Sequence, residues 1–210
     1  MRAIFDSISN NIIDIFYTLP ALLITITLHE LAHGYIAYKL GDPTAKDMGR
    51  LTFNPIKHID PMGFLTLLIL QFGWAKPVPV NPNYFKNRRQ GTFLVSLAGP
   101  LTNFILAFFA LSVMSIFSLE SNFLWSLCIY NVIFGIFNLL PIPPLDGSKL
   151  LASVLPEQLE VFFWKYEKYG YVILLILIFT NIINYILNPA IVLILNSMMT
   201  SLQMIINLFS

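Results

Sequence analysis

The sequence predicts an all-α, polytopic membrane protein with about five to six transmembrane helices, a re-entrant segment and a short membrane-associated β element. Hydrophobic residues fill 57% of its 210 positions and charged residues only 11%, against about 25% charged in ordinary soluble domains. Several apolar runs reach or approach the ~20 residues needed to cross a hydrocarbon core. No connector is long or polar enough for an appended soluble domain. Residues 1–210 therefore read as one domain, with a core at about 12–151 and a C-terminal helical pair at 169–210.

Residues 12–40 are the first hydrophobic segment, interrupted by Asp14 and Pro20. One tilted, kinked helix satisfies the pattern, and so does a short interfacial piece before a span that starts at Pro20. Gly41-Asp42-Pro43 ends it. Residues 50–54 (Arg/Leu/Thr/Phe/Asn) alternate with a period of two and read as a short strand. His58, just beyond, reads as an interfacial loop histidine. Residues 61–74 are apolar but only 14 long, which suits a re-entrant segment better than a span. Residues 73–82 are too proline-rich for a helix and read as an extended interfacial loop, anchored by Trp74 and Lys76. Lys86, Arg88 and Arg89 mark a headgroup-level boundary.

Residues 92–119 and 123–140 are two clear spans, the second closing on prolines and a DG turn. Residues 149–168 form a polar, amphipathic connector. Residues 171–187 and 190–209 are the last two spans, joined by a tight turn at Asn188-Pro189. Met1 to Asn10 lacks the basic start and small-residue cleavage site of a removed signal peptide, so the first span is expected to be retained.

Arg2 is the only basic residue outside three connectors. If 61–74 does not cross, these connectors share one face, which the positive-inside rule makes cytoplasmic. The N-terminus is then outside, and the site lies towards the cytoplasmic side of the cell membrane. The net charge of +1 says nothing about nucleic acid, but no basic cluster interleaved with aromatics appears, so no nucleic-acid partner is expected. The lone Cys128 excludes an intrachain disulfide and reads as a small core residue. Oligomeric state is not legible.

The chemistry is concentrated in His29-Glu30-Leu31-Ala32-His33, an HExxH pattern inside an apolar run. Histidines four apart lie on one helix face and can hold one metal ion. Glu30 is rotated about 100° from His29, near enough to reach a metal-associated water without ligating. Two of the three histidines fall at this spacing. Such pairs also arise on ordinary helices, but a His, a Glu and a His within lipid are costly unless they line a site.

Zinc, one per chain, is the expected ion, and it wants a third protein ligand, for which a carboxylate is the usual partner of a His pair. Asp14 lies too far along the same helix, and Asp42, Asp47 and Asp60 belong to a solvated loop. Asp146 is best placed, since it follows a span that returns from the opposite side. The alternative is that Leu145-Asp146-Gly147 is only a turn.

The HExxH pattern, together with Asn138-Leu139-Leu140-Pro141-Ile142-Pro143-Pro144-Leu145-Asp146-Gly147, resembles the site-2 protease family of intramembrane zinc metalloproteases. Gly99-Pro100-Leu101-Thr102-Asn103 is similar to that family's GPxxN helix start, and Gly49 to Asn54 to its membrane-associated β element. The resemblance covers about Ile24 to Leu151. It implies that Asp146 is the third ligand and that the chain is a core-only member without a PDZ or CBS-type module. Ser148 departs from the pattern, where a second glycine is common.

The implied activity is metal-assisted hydrolysis of peptide bonds in or near transmembrane segments of membrane proteins, with Glu30 as the base. The partners are a transmembrane protein or peptide substrate and the lipid bilayer. Asn103 and Asn138 offer amide donors for the substrate backbone or a developing oxyanion, or else simply join helices. A helical substrate must first unwind, and residues 50–54 would give it an edge to pair with. The competing reading is a non-proteolytic metal-binding membrane protein, a transporter or scaffold, which has no need of Glu30.

Overall fold

The computed structural model describes residues 2–70 and 73–209, with side chains at 15–66, 73–156 and most of 158–208. Met1, the Gln71-Phe72 part of the expected re-entrant segment and the Asp14 side chain lie outside the described residues. Helix α1 (Arg2–Lys39) runs unbroken through Pro20. That resolves the two alternatives for the first segment in favour of one helix. A proline costs a backbone bond, yet membrane helices keep such prolines where neighbouring groups satisfy the freed carbonyl.

A compact connector follows, with α2 (Thr44–Asp47), a 3-10 turn (Pro55–Lys57) and α3 (Pro61–Leu70). The Asp60 carboxylate caps α3 by accepting the Met62 and Gly63 N–H groups at 3.0 and 2.9 Å. Ten residues of helix rise about 15 Å, half of a ~30 Å hydrocarbon core.

Residues 50–54 form no strand; 51–53 are bends. Local side chain–backbone bonds compete with a ladder there. The Asn54 N–H donates to Thr52 Oγ1 at 3.2 Å, and Asn54 Oδ1 accepts the Ile56 N–H at 3.1 Å. Among the described residues the one β-bridge pairs Ile59 with Ala75 in antiparallel sense.

Helix α4 (Arg88–Ile116) starts on an Asn87 cap and α5 (Asn122–Asn138) on a Ser121 cap. The expected polar connector at 149–168 is itself helical. It comprises α6 (Asp146–Val154) and the first half of α7 (Glu157–Phe179). The expected Asn188-Pro189 turn does not occur, because α8 (Ile182–Phe209) contains Pro189 within it. The chain turns instead at Thr180-Asn181, where Asn181 has φ 60°. Asparagine adopts that left-handed conformation at low cost.

Three described helices are long and apolar enough to cross a membrane, at Ile15–Lys39, Arg88–Ile116 and Ile182–Leu208. Helix α4 packs against α1, α5 and α6, and α8 closes against α5. The shared core is built from small residues, including Ala21, Ala107, Ala110 and Cys128, all fully buried. In lipid, helices associate by close packing, which small side chains permit. Helix α4 is thus the post on which the polar faces of α1, α5 and α6 meet.

Candidate metal centre

His29 and His33 project from α1 towards α4, and Asp146 reaches them from the first residue of α6. Asp146 Oδ2 lies 3.1 Å from His29 Nε2 and 3.0 Å from His33 Nε2, and the two Nε2 atoms are 3.0 Å apart. All three residues are buried. Asp146 is delivered by close backbone passage, since a Cβ on Gly147 would overlap the Leu139 and Leu140 carbonyls. Ser148, the departure from the family pattern, is buried and donates its hydroxyl to the Leu145 carbonyl at 2.6 Å. Lys149 Nζ stands 3.9 Å from Asp146 Oδ1 at the rim.

The far side of each imidazole decides what the near side can do. His33 Nδ1 donates to the Val95 carbonyl at 2.7 Å, and His29 Nδ1 donates to Asn103 Oδ1 at 2.6 Å. With hydrogen on Nδ1, each ring presents a lone pair at Nε2. Two lone pairs and a carboxylate oxygen then converge with no hydrogen among them, an arrangement that a cation relieves. Gly99 leaves the space, because a Cβ there would sit 2.7 Å from His29 Nε2 and overlap His33 Nε2. Ligands about 2.0–2.1 Å from a tetrahedral zinc stand about 3.3 Å from one another. The residues fit the ion.

Glu30 does not join this cluster. Its Oε2 accepts the Val78 N–H at 2.7 Å. Pro77 and Pro79 have no N–H, so Val78 supplies the one backbone donor of that tripeptide. The surrounding segment is extended, as expected, and is held along its length. Lys76 N donates to the His58 carbonyl at 2.9 Å, its own carbonyl accepts from Arg50 at 2.7 Å, and Asn81 N donates to Asp42 Oδ2 at 2.6 Å.

Two residues in this region are more buried than the sequence suggests. Asp42 is fully buried, not solvated, because its two oxygens hold Thr44 and Asn81. His58 is also fully buried; Nε2 donates to the Thr52 carbonyl at 2.9 Å and Nδ1 has no partner among the described residues. Burial lowers the pKa of the Arg50 guanidinium, an effect opposed by the Glu30 charge.

Asn103 is committed at both ends of its amide, to His29 through Oδ1 and to Asn131 through Nδ2 at 2.8 Å. Both ends of its amide are thus engaged within the protein, one of them on the His29 ring. Asn138 stands apart from the cluster, and its Nδ2 donates to the Phe134 carbonyl of its own helix at 3.0 Å. Thr25 and Asn131, the next polar groups inward, escaped the motif reading. The available signal was a polar residue one turn before His29 and another seven before Asn138, both in apolar helices.

A buried His-His-Asp cluster among membrane helices, with a carboxylate one residue from its first histidine, defines the class: a metallohydrolase that works within a bilayer. The family model for Peptidase family M50 matches residues 17–121 and 117–181. YwhC of Bacillus subtilis is 42% identical over 185 residues, covering 82% of this chain and 84% of its own. Rip2 of Mycolicibacterium smegmatis is 31% identical, covering 77% and 66% respectively. Both carry the designation zinc metalloprotease provisionally. The zinc metalloprotease MJ0392 of Methanocaldococcus jannaschii is 29% identical over 79% of this chain and 39% of its own length. No solved structure matches significantly.

The chain belongs to Peptidase family M50, the site-2 protease family that its motifs resemble. It is an integral membrane zinc metalloprotease that works within the membrane.

Proposed function

We propose that His29, His33 and Asp146 hold one zinc ion and that Glu30 is the general base for hydrolysis of peptide bonds in membrane-embedded substrates. The observation that carries this reading is the convergence of three hydrogen-free donor atoms, His29 Nε2, His33 Nε2 and Asp146 Oδ2, below the opening left by Gly99. When bound, zinc supplies Lewis acidity towards water and the scissile carbonyl. Glu30 takes the proton of the attacking water and delivers it to the leaving nitrogen. Val95 and Asn103 hold the two rings so that neither turns away. The carboxylate of Asp146 adds the negative charge that favours a divalent cation at a site closed to bulk water.

The substrate is a transmembrane protein or peptide, unwound locally so that a carbonyl is exposed. Residues 50–54, where Phe53 and Asn54 are exposed, are the stretch along which the unwound strand pairs to complete the short β element. Asn138 keeps its amide oxygen for the substrate backbone. The chain acts as one domain, with a core at 12–151 and a C-terminal pair at 169–210.

In this reading α1, α4, α5, α7 and α8 make five spans and α3 is re-entrant. The N-terminus is outside the cell membrane and the metal centre lies towards the cytoplasm. The deciding experiment incubates purified full-length protein in detergent with single-span membrane proteins, alongside Glu30→Gln, and quantifies zinc in both. Cleavage by the wild type alone, with equal zinc, is expected. Cleavage that survives Glu30→Gln would remove Glu30 from its role.

A further inference from the structure

Three residues on three helices continue the polar contacts of the metal centre into the core. Asn103 on α4, Asn131 on α5 and Thr25 on α1 are each fully buried. Asn103 Nδ2 donates to Asn131 Oδ1 at 2.8 Å and, more weakly, to the Thr25 carbonyl at 3.4 Å. Asn131 Nδ2 donates to Thr25 Oγ1 and to the Leu127 carbonyl, both at 2.8 Å. The Thr25 hydroxyl donates to the Ala21 carbonyl at 2.8 Å.

The direction of every bond in this chain is fixed by backbone carbonyls, which only accept. Leu127 O demands the NH₂ end of Asn131, so Asn131 Oδ1 faces Asn103. Asn103 must answer with its own NH₂ end, which the Thr25 carbonyl also demands. That leaves Asn103 Oδ1 for His29, whose Nδ1 must then carry the hydrogen. The Ala21 carbonyl draws the Thr25 hydroxyl hydrogen, leaving an oxygen lone pair for Asn131.

We propose that Thr25 and Asn131 are positioning residues for the metal centre: through Asn103 they hold the His29 ring with its Nε2 lone pair facing His33 and Asp146. Neither touches the ligand atoms, and both act by setting the polarity of an amide relay. A simple packing role would be satisfied by shape. The relay requires a hydrogen-bonding group at each position whatever its shape. In lipid, where no water can substitute, a reversed amide has no partner to accept it. The inference rests on the zinc reading of His29, His33 and Asp146.

The test measures zinc affinity of the full-length protein in detergent by competition with a chelator, together with thermal stability of the metal-free form. Thr25→Val keeps the shape and loses the hydroxyl, whereas Thr25→Ser loses the methyl and keeps the hydroxyl. Thr25→Val is expected to weaken zinc binding about threefold or more while Thr25→Ser holds it near wild type. Asn131→Leu is expected to weaken it as well, by less than the about 10–100-fold usual for a direct partner of a ligating histidine, the place that Asn103 holds.

If Thr25→Ser is the weaker binder of the pair, or if both Thr25 variants bind zinc as wild type does, the relay is overturned even where Asn131→Leu fails to fold. His33→Ala runs in parallel. Zinc lost there but unchanged in the Thr25 pair and in Asn131→Leu overturns the relay alone, and zinc unchanged in His33→Ala overturns the metal reading and the relay with it.

Discussion

Glu30 Oε2 and the Val78 backbone N–H are joined at 2.7 Å, so the carboxylate beside the histidine pair is seated on a proline-flanked extended segment from a distant part of the chain. This contact keeps Glu30 turned from the ligand cluster towards residues 76–81. It also separates the surroundings of Glu30 from those of Asp146, which faces the two imidazoles. Glu30→Gln retains an oxygen for the Val78 N–H and should fold and bind zinc within about twofold of wild type. Its proteolysis should fall by about 10²–10⁴-fold, the usual contribution of a positioned base. Zinc content and cleavage rate, measured on one preparation, check both halves.

Asp146→Asn should behave in the opposite way. The amide keeps the shape but removes the charge and places hydrogens on a centre that has none. Chelator competition should show zinc held at least about tenfold more weakly, with proteolysis reduced in step. Expression and insertion should be little changed. Wild-type zinc affinity in this variant would mean that the third ligand is elsewhere.

Gly99→Ala tests the space above the histidines. The added methyl would fall on both Nε2 atoms, and α4 backbone geometry tolerates alanine well. Zinc occupancy should be largely lost while helical content by circular dichroism stays at the wild-type level. Retained zinc would show that the centre has room that this geometry does not provide.

Topology gives a fourth test. Tags near Lys46, Arg88 and Glu157 should all report the cytoplasm, and one at the N-terminus the outside. If the tags at Lys46 and Arg88 report opposite faces, α3 belongs to a crossing segment and the five-span arrangement falls.

The metal-ligating residue types were legible because so few side chains can do that work and because a helix places i and i+4 together. The reach from His29 to Asp146 was suggested by a span that returns from the opposite side and strengthened by the family pattern, since a DG pair alone is also a turn. What supports His33 and Glu30 was hidden for a different reason. Val95 offers a carbonyl and Val78 an N–H, groups that every residue of that kind carries, so no side chain announces them. Asp42 read as solvated and His58 as an interfacial loop residue, yet both are fully buried, and the extended segment bonds to the Asp42 carboxylate and to the His58 carbonyl. Asn188-Pro189 carries a strong turn signal, but a long apolar helix absorbs its proline and the chain turns at Asn181 instead.

The distance along the chain between His29 and Asp146 sets an order of events in biosynthesis. The histidines are made early and Asp146 follows 117 residues later, after α4 and α5. A ribosome-bound chain that has inserted only its first helices therefore has Glu30 and the two imidazoles but not Asp146. On the proposed zinc site, α1, α4 and α5 are therefore laid down before the centre can close, and the means to cut other membrane proteins arrive only with α6, ahead of α7 and α8.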